Sequence, residues 1–205
     1  MNQHRIFIAI NLPEDIKNKL AEYQEKWPEL PAKWTKKYNI HITLVFLGYV
    51  ATEELPGILE SVKKVAAKNN SFLINLTKIS YGPLGKMPPR IIWAIGEKSE
   101  ELGKLQNDLE NSIGGQCIGK KENRSYSERS EEQGSAERSK AGSYVPHLTL
   151  ARIKAWEFNR IEPEEIPQIE EEISFNFEVN SIEIMESQLK KGGPSYTILE
   201  SIPLQ

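Results

Sequence analysis

The sequence predicts an α+β fold of two lobes related by approximate two-fold symmetry, each an antiparallel sheet with helices on its outer face. Three observations carry that prediction. The tetrapeptide His41-Ile42-Thr43-Leu44 returns as His147-Leu148-Thr149-Leu150. The apolar run Arg5-Ile6-Phe7-Ile8-Ala9-Ile10 returns as Arg90-Ile91-Ile92-Trp93-Ala94-Ile95. A helical pattern follows each run and precedes its tetrapeptide, so strand, helix and strand occur twice in the same order.

The elements follow in turn. After the first run and Pro13, the residues Ile16, Leu20, Tyr23 and Trp27 recur at helical spacing. After the second run and a Ser99 cap, Leu102, Leu105, Leu109 and Ile113 do the same. The tetrapeptides lie in β-prone runs, Ile40 to Leu47 and Val145 to Ile153. Leu55, Ile58, Leu59, Val62 and Val65 then mark a helix. Ser71-Phe72 opens a strand with apolar residues at 72, 74 and 76, a phase slip, and apolar residues at 79 and 81. In the second half Ser174-Phe175 opens the matching pattern, with apolar residues at 175, 177 and 179 and, after the slip, at 182 and 184. Both slips predict a β-bulge at the same place. Between Ile153 and Ser174, Pro163, Pro167 and a set of glutamates leave room for only a short helix.

These elements predict one domain over residues 1–205, with one lobe from 1 to about 85 and the other from about 86 to 205. Gly82 to Pro89, rich in Gly and Pro, is the expected junction. Arg5 to His41 spans 36 positions and Arg90 to His147 spans 57, so the second half carries 21 extra residues. They fall within a charged, apolar-poor run, 119–142, expected to be a flexible insertion. Arg124, Arg129 and Arg138 within it are candidates to touch a ligand; a solvated insertion with no such role is the simpler reading.

Two of the three histidines sit in the repeated frame, each two residues before a threonine, although the chain has only six threonines. Side chains at i and i+2 of a strand share a face, about 6.6 Å apart at the backbone. His41 with Thr43, and His147 with Thr149, therefore present an imidazole and a hydroxyl to one side, while Ile42, Leu44, Leu148 and Leu150 face a core. Histidine gives or takes a proton near neutral pH, so two in matching frames across a central cleft point to a paired acid and base. A single such histidine would be read as a packed core residue. Packing gives no reason to repeat both residue types.

Other chemistries lack residues. Zinc needs three or four ligands, and no His or Cys cluster stands at ligand spacing; no GxSxG motif offers a serine nucleophile. No cofactor or metal is expected. The single cysteine, Cys117, rules out an internal disulfide and predicts a reducing compartment, the cytoplasm. No stretch approaches the length that crosses a membrane. A net charge of −3 excludes coating of nucleic acid by bulk charge. Local patches remain: Lys33, Lys36 and Lys37 interleaved with Trp34 and Tyr38, and Lys190 with Lys191, each also readable as a solvated face. Two histidines and two threonines suit metal-free phosphodiester cleavage, one histidine activating water, the other protonating the leaving oxygen, the hydroxyls holding the non-bridging oxygens.

The segments HITLVFLG and HLTLARI, with RIFIAINLP, PPRIIWAIG and SQLKKGGPSYTIL in this order, resemble the 2H phosphoesterase superfamily, and within it the RNA 2',3'-cyclic phosphodiesterases, also called 2'-5' RNA ligases. The resemblance spans nearly the whole chain except the charged insertion. It implies hydrolysis of RNA 2',3'-cyclic phosphate ends to 2'-phosphomonoesters, with tRNA fragments among the candidate substrates and a monomeric chain. It also implies His41 as proton donor to the 3'-oxygen, His147 as the acceptor that activates water, and Thr43 and Thr149 as phosphate-binding residues. The two frames alone do not distinguish donor from acceptor. Arg152 and Tyr196 match positions that the family tends to keep, as substrate contacts or as structural residues. Rival readings are 2'-5' RNA ligation at the same site, cyclic phosphodiesterase activity on a small nucleotide such as an ADP-ribose cyclic phosphate, and a non-catalytic RNA-binding module.

Overall fold

The computed structural model describes residues 2–83, 85, 87–117, 144–191 and 193–205, with the backbone alone for 114–117. The insertion 119–142, its three arginines and the Cys117 side chain lie outside what is described. The strands are β1 (Gln3–Asn11), β2 (Ala32–Trp34), β3 (His41–Ala51), β4 (Phe72–Gly82), β5 (Ile91–Gly96), β6 (His147–Ile153), β7 (Glu170–Val179), β8 (Ser181–Lys190) and β9 (Gly193–Pro203). The helices are α1 (Glu14–Glu22), α2 (Leu55–Ala66), α3 (Glu100–Cys117) and α4 (Ala155–Phe158). No described helix is long and apolar enough to cross a membrane.

Two antiparallel sheets result, a four-stranded one in the order β3-β1-β8-β9 and a five-stranded one in the order β2-β6-β5-β4-β7. The duplication is visible in the order itself. β3-β1-β8-β9 and β6-β5-β4-β7 match strand for strand, with β2 added beside β6. Each half keeps its opening strand and its HxTL strand together, but the first sends β4 to the other sheet and the second keeps β7 while sending β8 and β9 across. A cut near residue 85 therefore does not separate the sheets, and Gly82 to Pro89 joins β4 to its own neighbour β5 as a hairpin. One apolar core spans both sheets and the helices, from Ile6, Ile8, Ile42 and Leu44 through Ile92, Leu148 and Leu150 to Ile58, Val62, Leu102 and Leu105. Each fully buried Ile or Leu contributes about 1.5–3 kcal/mol, so a shared core resists separation of the lobes.

The helices follow the sequence pattern closely. Leu102, Leu105, Leu109 and Ile113 are fully buried on α3, and the Ser99 hydroxyl accepts the Leu102 N–H at 3.1 Å as an N-cap. α1 ends earlier than the spacing predicts, at Glu22, and continues as a 3-10 turn over Tyr23–Glu25. Pro28 disfavours helical geometry at the residue before it, so Trp27 leaves the helix and stacks on Trp34, 6.3 Å away and 8° from parallel.

The two expected slips have different outcomes. In β4 the ladder shifts between Leu76 and Lys78, a true bulge at Thr77. In the second half the slip is a change of sheet: β7 ends at Val179 in the five-stranded sheet, and β8 begins at Ser181 in the four-stranded one. Nor does β7 wait for Ser174. It starts at Glu170 because the glutamates find cations, Glu170 with Lys78 and Glu171 with Lys26 at 2.8 Å. A charged edge strand also resists pairing with other chains. The short helix is α4, one turn long.

Candidate active site

The HxTL frame has a structural reason that spacing alone did not disclose. In the β1–β3 ladder Ala9 faces Thr43 and Ile8 faces Val45, so Leu44 is an extra, bulged residue. In the β5–β6 ladder Trp93 faces Thr149 and Ile92 faces Ala151, so Leu150 is the extra residue there. A bulge turns two successive residues toward one side. Leu44 and Leu150 are buried in the core, and the next cleft-facing position moves to the third residue after Thr. Cross-strand partners share a face. His41, Thr43 and Phe46 therefore lie on one face, opposite Asn11, Ala9 and Phe7; His147, Thr149 and Arg152 lie on the equivalent face, opposite Ile95, Trp93 and Ile91. The repeated motif is matched, but Phe46 occupies the place that Arg152 takes in the other sheet.

Both imidazoles are held in the same way. His41 Nδ1 lies 2.7 Å from the Asn39 carbonyl and His147 Nδ1 lies 3.0 Å from the Val145 carbonyl, in each case two residues back. A carbonyl only accepts, so Nδ1 carries the proton in both rings and Nε2 is left for chemistry. His41 Nε2 lies 2.9 Å from the Thr43 hydroxyl, so the two side chains converge from their separate backbone positions.

The His41 ring is walled by Phe7 at 5.0 Å and, edge-on, by Tyr196 at 5.1 Å. Phe7, Ala9 and Met185 form a small apolar cluster with Phe46 and Tyr196 on the cleft face, apart from the main core. In register, His41 and Tyr196 occupy opposite corners of the four-stranded sheet, since Tyr196 pairs with Ser187 at the far end of β8. Strong sheet twist brings diagonal corners together over one face. The Asn39 amide secures them by donating to the Pro194 carbonyl at 2.8 Å. Desolvation by this wall, helped by the buried Lys17 ammonium on α1, lowers the His41 pKa to about 4 against the pull of the Asn39 carbonyl.

His147 has its own wall, Trp93 at 5.0 Å and Tyr144 at 5.9 Å, and burial lowers its pKa as well. Trp93 lies flat on Gly82, where a Cβ would come within 2.6 Å of the indole ring. Tyr144 joins the two halves of the site. Its ring rests near His147 while its hydroxyl donates to the Thr43 carbonyl at 2.5 Å, and β3 packs beside β6. Burial raises the Tyr144 pKa, so the hydroxyl keeps its proton and remains a donor.

Residues of this arrangement that were not singled out from sequence include Asn39, Phe46, Trp93, Tyr144 and Lys17. Asn39 and Val145 each stand two places before a histidine, a signal that backbone chemistry rather than side-chain type explains. Tyr144 is an aromatic at the end of a polar run, three residues before His147. The sequence patch of Lys33 to Tyr38 breaks up: Trp34 is stacked on Trp27, and Lys37 is paired with Glu14 at 3.2 Å. Lys33 stays exposed, opposite Arg152 in the β2–β6 ladder.

A duplicated fold with an HxT motif on equivalent strands of two sheets defines a phosphoesterase of the two-histidine class. The chain belongs to the LigT like Phosphoesterase family, whose model matches residues 10–93 and 118–196. It is 28% identical over 200 residues to the RNA 2',3'-cyclic phosphodiesterase of Methanocaldococcus jannaschii, covering 96% of this chain and 98% of that protein. It is likewise 28% identical over 200 residues to the enzyme of the same name from Thermotoga maritima, covering 95% and 92%. A crystal structure from Thermus thermophilus superposes with a TM-score of 0.76 at 28% identity, covering 98% of this chain and 97% of the other.

Proposed function

We propose that this protein hydrolyses 2',3'-cyclic phosphodiesters at RNA ends to 2'-phosphomonoesters, tRNA fragments among them, without a metal. The observation that carries this reading is the pair of imidazoles on equivalent strands, each holding its Nδ1 proton on a backbone carbonyl and leaving Nε2 to the cleft. His147 Nε2 takes a proton from water, whose oxygen attacks phosphorus as the bond to the 3'-oxygen breaks. His41, protonated at Nε2, gives that proton to the departing 3'-oxygen, and the phosphate stays on the 2'-oxygen. Exchange with solvent resets both rings. Thr43 and Thr149 donate to the non-bridging oxygens, where charge develops.

The two-fold symmetry of the motifs is broken by their surroundings. On the His41 side stand Phe7, Phe46 and Tyr196, apolar surfaces suited to a ribose or base. On the His147 side stands Arg152, suited to phosphate. The low His41 pKa makes its cation a strong acid, and arrival of a phosphodiester anion beside it favours the protonated state that a donor needs. The cytoplasm fits a chain with one cysteine.

The test is turnover of an RNA oligonucleotide ending in a 2',3'-cyclic phosphate, with phosphorus NMR of the product. A 2'-phosphomonoester is expected. A product that loses its phosphate to a 3'-phosphate-specific phosphatase refutes the assignment of the broken bond, and absence of turnover refutes the function.

A further inference from the structure

We infer that Lys33, with Arg152 and the tip of the β8–β9 hairpin, forms a second anion subsite that holds the phosphodiester one nucleotide before the cyclic end. It makes a polymeric RNA end a better substrate than a free cyclic mononucleotide, and it rests on the function proposed above.

Lys33 and Arg152 are direct partners in the β2–β6 ladder, and both are exposed. The register places a lysine and an arginine on one face of the β2–β6 pair. Lys26, Lys37 and Lys154 are neutralised by Glu171, Glu14 and Glu157, and Lys36 lies over the Tyr38 ring. Among the described residues Lys33 has no such partner.

The side chain instead reaches across to the other sheet. Its ammonium lies 3.0 Å from the point where a Cβ on Gly193 would stand. Gly193 has a φ of +115°, a backbone conformation that disfavours any side chain there and leaves the space to the lysine. Lys190 and Lys191, both exposed, belong to the same hairpin tip. Lys33 and the pair Lys190 and Lys191, far apart in sequence, thus gather at one end of the cleft. Pro194, next to Gly193, accepts the Asn39 amide that borders His41, so this end is continuous with the reacting groups.

Register supplies the spacing. His147, Thr149 and Arg152 face Ile95, Trp93 and Ile91 in three rows, each a two-residue strand step of about 6.6 Å from the next. The Lys33–Arg152 row is one step beyond the hydroxyl of Thr149. An RNA chain whose terminal phosphate sits at Thr149 carries its next phosphodiester to that row, which a cyclic mononucleotide lacks.

The experiment compares kcat/KM for a cyclic-phosphate-ended oligonucleotide and for a 2',3'-cyclic mononucleotide in wild type, Lys33→Ala and Lys33→Arg, over a range of salt. Lys33→Ala is expected to lower the oligonucleotide value about tenfold through KM and to leave the mononucleotide value within about twofold. The slope of log kcat/KM against log salt should become shallower by about 0.7, the value of one lost contact to a single strand, and Lys33→Arg should restore both. Equal effects on the two substrates, or an unchanged slope and preference, overturn the subsite alone. Turnover of neither substrate by the wild-type protein overturns the functional reading and the subsite with it.

Discussion

Replacing Tyr144 by Phe removes one oxygen and keeps the ring that packs near His147. That oxygen donates to the Thr43 carbonyl at 2.5 Å, from a residue only 7% exposed. Leaving a buried carbonyl without this donor costs about 1–2 kcal/mol. In a domain of this size each kcal/mol shifts Tm by about 2–4 °C, so a fall of roughly 2–8 °C is expected. The bond also connects the residue three places before His147 to the backbone of Thr43, so its loss loosens one motif relative to the other. If the transition state requires both motifs in register, about 1.4 kcal/mol of the lost interaction appears as a tenfold fall in kcat. Thermal melting and steady-state kinetics on a cyclic-phosphate oligonucleotide test this together. A variant with wild-type Tm and kcat within twofold of wild type would refute the reasoning that Tyr144 couples the two halves.

Four further outcomes follow from the same geometry. His41→Ala and His147→Ala should each lower kcat by about 10² to 10⁴ with little change in Tm; near-normal turnover in either sinks the two-histidine mechanism. Both pKa values lie below 6.5, that of His41 at about 4, and free enzyme needs one ring protonated and one neutral. kcat/KM should therefore peak between the two pKa values, on the acid side of 6.5, falling above as both rings become neutral and below as both become charged; a maximum above pH 7 contradicts it. The same depression means that the folded state prefers neutral His41, so stability from this group is full above 6.5 and is lost as pH falls toward 4. His41→Gln should flatten that part of the Tm profile. Gly82→Ala drives a methyl to within 2.6 Å of the Trp93 ring, which must shift against His147. A loss of about 1–3 kcal/mol of stability, seen by denaturant titration, is expected along with reduced kcat; an unaffected variant would show that Trp93 moves freely.

Much of this molecule was legible in one dimension because its information is periodic. The strand period placed His41 with Thr43 and His147 with Thr149 on shared faces, and the helical period placed Leu102, Leu105, Leu109 and Ile113 in the core. Repetition of the frame identified the candidate pair. The LigT like Phosphoesterase match agrees with the resemblance carried by those motifs. Other features depend on contacts between residues far apart in the chain. The exchange of β4 and β8 between sheets is invisible to periodicity, since a strand has the same pattern in either sheet. The bulge at each HxTL leucine needs the partner strand to define it, and only that bulge aligns Phe46 and Arg152 with the motif residues. The lowered His41 pKa is a product of diagonal sheet corners meeting over Phe7. Sequence by itself determined which groups make up the candidate site, because type and spacing are local; the tertiary structure alone decided how they are desolvated, oriented and joined, because dielectric, register and twist belong to the folded whole.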